Sequence, residues 1–110
     1  MNTIFEKYVY LATAHGDATE DGNSDEANIA YRKLEDLFEE IKHKGLRGEL
    51  SQLLTHANPS VRSEAAFHTY VLDPCRSESV LEEVSTVPGL IGFSARMTLR
   101  QIRNGELKPL

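Results

Sequence analysis

Thiol chemistry in this 110-residue chain rests on a single cysteine, Cys75. A lone thiol closes no internal disulfide and cannot complete a zinc site by itself, so a reducing compartment, the cytoplasm, is the expected location. No stretch approaches the ~18 consecutive apolar residues of a membrane-spanning helix. The opening residues, Met1 to Glu6, lack the positive region and apolar run of a signal peptide. A glycine-rich phosphate loop of the GxxxxGK type is missing, which leaves nucleotide binding without support. Alternating apolar and polar residues between hairpin turns are missing too, and with them any strand signal. Basic residues are in the minority: twelve Lys and Arg face seventeen Asp and Glu, for a net charge of -5. That balance argues against nucleic acid, whose phosphates demand Lys and Arg.

What is present is the composition of one folded domain. With 40% hydrophobic and 26% charged residues the chain is no disordered tail. A domain of this size buries a little under ~70% of its unfolded surface, enough for one core without metal or disulfide staples. The charge is unevenly spread. Residues 1–40 hold ten acidic side chains against three basic ones, and the remainder hold seven against nine. An acidic front half either solubilises the domain or steers basic partners towards it.

Helical spacing dominates the chain. Thr3-x-x-Glu6 has the form of a capping box, and Ile4, Tyr8, Leu11 and Ala12 predict a first helix to about Ala14. The polar stretch from Gly16 to Asp25, with two glycines, reads as a loop. Ala27, Ala30, Tyr31, Leu34, Leu37, Phe38 and Ile41 then form one continuous apolar stripe. Lys42, His43 and Lys44 complement the negative end of that helix, and Gly45 stops it. A short helix is expected over about Arg47 to Thr55, with Leu50, Leu53 and Leu54 inward. Asn58-Pro59 opens the next, which places Val61, Ala65, Ala66, Thr69 and Leu72 on one side. Asp73-Pro74 ends it, and Ser77 opens a helix carrying Val80, Leu81 and Val84. Beyond Pro88-Gly89, a last helix from about Leu90 to Asn104 uses Ile91, Ala95, Thr98, Leu99 and Ile102, and Gly105 caps it.

The segment from Leu53 to Ala66, with its polar turn, Pro59, Val61-Arg62 and the paired small residues Ala65-Ala66, resembles the core of a HEAT or armadillo-type repeat. The resemblance implies an all-α fold: a short right-handed superhelix of about six helices in three stacked pairs, each hiding its apolar face against the next. Gly16-Asp17, Ala27-Asn28, Tyr31, Leu34, Gly45, Leu53-Leu54 and Gly92-Phe93-Ser94-Ala95 with Leu99 extend the likeness to a family of small bacterial HEAT-like domains. These are similar to immunity proteins that neutralise toxins of contact-dependent growth-inhibition systems. The function so implied is binding and masking a cognate toxin, a basic nuclease being the target an acidic face suits. The alternative is an adaptor or scaffold with a different partner.

Catalytic material is sparse. His15 and Asp17, two apart at the expected helix end, form either a general-base pair or a capped terminus. His43 and His56 read as partners of helix ends. Glu64 and His68 share the i,i+4 spacing of zinc-binding helices, but one pair supplies too few ligands, and a surface ion pair is the expectation. Cys75 beside Arg76 reads as packed or idle. No cofactor, metal or catalytic residue is expected. Glu35, Asp36 and Glu39 are placed opposite Tyr31, Leu34 and Phe38, on the helix that would line a concave face. They read either as a solvated face or, together with Asp17, as the contacts to a basic partner. Phe93 and Met97 point away from the apolar stripe of the last helix and, with Arg96 and Arg100 nearby, have the aromatic-plus-arginine character of interface anchors, the alternative being packing against the C-terminal tail, Leu107 to Leu110. Phe67, by contrast, is expected in the core.

Overall fold

The computed structural model describes residues 3–109, and among them there are six helices and no strand. Five are α-helices: α1 (Thr3–Glu20), α2 (Ser24–His43), α3 (Pro59–His68), α4 (Pro74–Val84) and α5 (Leu90–Arg103). The sixth, Arg47–Thr55, is a 3-10 helix between α2 and α3. It tucks Leu50, Leu53 and Leu54 into the core as expected, through a tighter coil.

Three sequence-adjacent pairs are in contact: α1 packs on α2, the 3-10 helix on α3, and α4 on α5. The pairs do not extend into a rod. Helix α3 also touches α4, α1 and α5, and the principal extents of 33, 30 and 25 Å are nearly equal. Tyr8, Leu34, Ile41, Leu50, Val61, Ala65, Ala66 and Leu81 are fully buried around this central helix. Among the described residues no helix is long and apolar enough to cross a membrane.

Three boundaries differ from the sequence expectation. Helix α1 does not stop at Ala14 but continues to Glu20, through Gly16. That glycine is buried against α3. A Cβ built there would lie 2.6 Å from the Ser60 Cβ, so the residue that looked like a loop marker is a point of close helix approach. Thr3 itself lies in the first turn of α1; residue 2 is outside the described residues. Helix α4 begins at Pro74, three residues before Ser77, because the Asp73 side chain accepts a hydrogen bond from the Arg76 N–H at 3.2 Å. Asp73-Pro74 therefore starts a helix, as Asn58-Pro59 does, and does not end the one before it, which stops five residues earlier. Helix α3 stops at His68, so Thr69 caps it and Leu72 falls in the turn, exposed. The glycine stops hold: Gly45 and Gly105 have φ of 72° and 75°.

Candidate functional site

Three helices converge on one buried histidine. His68 ends α3 and is 1% exposed, and its ring is held on several sides. Phe38 of α2 stacks on it with centroids 3.8 Å apart and planes 14° from parallel. The Tyr8 hydroxyl of α1 lies 2.6 Å from Nδ1, and the Glu35 carboxylate of α2 lies 3.1 Å from Nε2. An ionised carboxylate only accepts, so in the neutral ring Nε2 carries the hydrogen and Nδ1 accepts from Tyr8. Arg47, at the start of the 3-10 helix, donates from Nε to the His68 carbonyl at 2.9 Å and lays its guanidinium over the outer side of the Phe38 ring region, 5.1 Å from the centroid.

A second layer adjoins it. Glu64, one turn back on α3, lies 3.5 Å from Nδ1 of His15 on α1. The His15 ring in turn meets Tyr31 of α2 at 5.6 Å. Ligand atoms of Glu35, Glu64 and His68 all fall within 4.8 Å of one another, so an imidazole and two carboxylates share one small space. Among the described residues neither glutamate forms an ion pair with Lys or Arg; the side chains that meet their carboxylates are His68 and His15. The effect reaches the phenols. Burial, then the charges of Glu64 and Glu35, holds the Tyr8 pKa well above its ordinary 10.0. Burial, then Glu35 and Glu64, raises that of Tyr31.

The cluster opens to solvent beside Glu64. One cleft of about 140 Å³ is lined by Tyr31, Ser63, Glu64, Phe67, Thr98 and Leu107. A smaller one of about 40 Å³ includes His15, Ser63, Glu64 and Ile91. Both fall short of the roughly 300 Å³ typical of small-molecule sites, and the smaller suits an ion or a water.

The residues expected at an interface separate into two places. On α5, Phe93, Met97 and Arg100 lie at i, i+4 and i+7, along one side of the helix. Phe93 is 51% exposed with the Arg96 guanidinium 5.8 Å over its ring, Met97 is half-buried, and Arg100 is exposed. Leu90, 45% exposed, extends this strip. Arg96 is tethered by donating to the Ser85 carbonyl, and Arg103 pairs with Glu78 and Glu82, which locks α5 to α4. Asp17 is exposed on α1 between Gly16 and Glu20, both of which meet the start of α5; the Glu20 carboxylate accepts from the Ile91 N–H at 2.6 Å.

On α2 the expected acidic face is less uniform. Asp36 and Glu39 are exposed, but Asp36 shares a surface groove with Lys7 and Lys33, and Glu39 pairs with Lys42 at 3.0 Å. Glu35 turns inward to His68 instead of lying opposite Phe38.

Other sequence candidates also move. His15 faces Glu64, and the helix carries the exposed Asp17 away from it, so the two are not brought together as an acid–base pair. His68 is in the core and not in a surface pair with Glu64, whose partner is His15. His56 serves its turn, its Nδ1 accepting from the Asn58 N–H at 3.0 Å. Cys75 is exposed, and Phe67 is half-buried in the cleft wall. Glu35 and Tyr8 as partners of His68 were not foreseen. The available signal was Glu35 adjoining the stripe residue Leu34, one turn before Phe38.

No protein-family model and no curated protein sequence matches the chain. Among solved structures it is similar to the crystal structure of the protein RPA1889 from Rhodopseudomonas palustris. That likeness has a TM-score of 0.78 at 22% sequence identity and covers 98% of this chain and 94% of that one. At this level of identity the two share a fold.

Proposed function

We propose that this chain is a protein-binding domain that docks through the exposed strip of α5. The observation that carries this reading is Phe93, a large aromatic side chain left half in water beside Leu90, with an arginine held over its ring. Aromatic and arginine side chains are enriched where interfaces concentrate their binding energy. The acidic α1–α2 turn, with Asp17, Asp21, Asp25 and Glu26 all exposed, adds a steering field for a partner with a basic rim. The resemblance to immunity proteins supplies the most concrete form of the proposal: a cytoplasmic inhibitor that covers the active site of a cognate toxin and performs no catalysis itself.

Co-expression with the protein encoded beside this chain tests it. The expected result is a complex that survives size-exclusion chromatography. Phe93→Ala combined with Arg100→Ala is expected to weaken that complex by about tenfold or more, as loss of an interface anchor does, with the circular dichroism spectrum unchanged. Unaltered affinity would move the docking face off α5. A complex that gives no protection against the partner's toxicity would replace the immunity form by the adaptor form.

A further inference from the structure

We propose that Glu35, Glu64 and His68 form a binding site for one divalent transition-metal ion of the zinc type, with Tyr8 as the positioning residue of its histidine. The site is separate from the α5 strip and does not depend on the docking proposal.

Four observations converge on it. The donor set is one imidazole nitrogen and two carboxylates, which suits zinc and its first-row neighbours better than calcium or magnesium. The histidine is immobilised before any ion arrives, by the Phe38 stack and by the hydrogen bond at Nδ1. Metal-binding histidines are characteristically fixed through the nitrogen that does not bind the metal. The two carboxylates come together with only histidine side chains against them and, among the described residues, no Lys or Arg in ion-pair contact. That concentration of negative charge is relieved by a cation. Finally, Glu64 lines both small clefts, giving an entry path and room for water as a further ligand.

The geometry needs little adjustment. Zinc bonds of about 2.0–2.2 Å in a tetrahedral site set neighbouring ligand atoms roughly 3.3 Å apart. His68 Nε2 and Glu35 Oε1 stand at 3.1 Å already. Glu64 closes the remaining gap by side-chain rotation, and His15 stays behind it as an outer hydrogen-bond partner.

The protons balance through Tyr8. In the metal-free state the Tyr8 O–H donates to Nδ1, and the hydrogen on Nε2 is donated to Glu35. Binding at Nε2 requires the other tautomer, with Nδ1–H donating to the Tyr8 oxygen. No net proton is lost by this exchange, because the imidazole remains neutral. The phenol serves both states, donating to Nδ1 in the first and, with its hydrogen turned aside, accepting from Nδ1–H in the second. Phenylalanine there would leave the ring without its anchor in either one.

Titration of the intact chain with Zn²⁺, followed by calorimetry and by the ¹⁵N resonances of the histidine rings, tests this directly. The expected result is one equivalent bound, with the Nε2 resonance of His68 shifted and those of His43 and His56 unmoved. Co²⁺ should bind in the same place and show the visible absorption of a low-coordinate site; Mg²⁺ and Ca²⁺ should not compete. Glu35→Gln and Glu64→Gln are each expected to lower zinc affinity by about tenfold or more, and Glu40→Gln on the outer side of α2 to leave it unchanged. Tyr8→Phe retains the three ligands and should weaken binding less than either. Zinc binding that leaves the His68 ring unshifted would overturn the proposal, whether or not the variants fold. So would an absence of binding, or equal affinity in the Glu35→Gln, Glu64→Gln double variant.

Discussion

The hydroxyl of Tyr8 sits at zero exposure against the ring nitrogen of His68, so removing it strands a buried acceptor. Tyr8→Phe is expected to destabilise the fold by about 1–3 kcal/mol, the cost of an unsatisfied buried polar group, measured as a lower urea midpoint at unchanged slope. The same phenol sets a pH dependence. Its folded pKa is raised above the ordinary 10.0, so the folded state keeps a proton that the unfolded chain gives up. The stabilisation is complete below pH 10 and is lost as pH rises from there towards the folded value. In that window the wild type should lose up to about 1.4 kcal/mol per pH unit more than Tyr8→Phe does. Parallel alkaline curves for the two proteins would refute this.

Gly16 acts on the same scale through bulk. Its replacement by alanine drives a methyl group into Ser60, which is itself 7% exposed and has little room to retreat. A loss of about 1–3 kcal/mol is expected in denaturant unfolding, the usual cost of overpacking. Equal or higher stability would show that the approach of α1 to α3 leaves room for a methyl group, since alanine otherwise favours a helix.

Among the elements, α4 depends most on its cap. Its first turn carries no acidic residue, and the Asp73 carboxylate supplies both the acceptor for the Arg76 N–H and negative charge at the positive helix end. Asp73→Ala should cost about 1 kcal/mol, and Asp73→Ser much less; thermal midpoints of the two variants check the order. The 3-10 helix is held differently. Its N-cap makes no side-chain hydrogen bond, and Arg47 fastens it to the end of α3 through the His68 carbonyl. Helix α5 likewise has no capping side chain of its own; Glu20, seventy-one residues away in sequence, supplies the acceptor for the Ile91 N–H.

For the whole molecule, the central position of α3 has a thermodynamic consequence. It contacts α1, the 3-10 helix, α4 and α5, and its His68 meets Phe38 and Glu35 of α2, so neither the α1–α2 pair nor the α4–α5 pair keeps its apolar face covered when the other unfolds. Far-ultraviolet circular dichroism and tyrosine fluorescence should therefore report one coincident transition in urea. Two separated transitions, with the α1–α2 pair outlasting the remainder, would contradict this. The strip of Leu90 and Phe93 lies outside the shared core, so a substitution there is expected to leave that transition unmoved.

Local pattern alone determined the helices: the apolar stripe of α2, the glycine stops at 45 and 105, and the Asn58-Pro59 start depend on neighbours within a turn or two. It also singled out Glu64 with His68, because i,i+4 residues share a helix face. Tertiary structure decided what those residues do. Whether Gly16 breaks a helix or lets one approach depends on Ser60 across the packing interface. Asp73-Pro74 reads alike as an end and as a beginning until the next helix is placed. Tyr8, Glu35 and His68 stand thirty-three and sixty positions apart in the pairs that join them, and no periodicity links them. Periodicity encodes which face of a helix is turned inward, whereas the meeting of three faces at one histidine follows from how the helices cross.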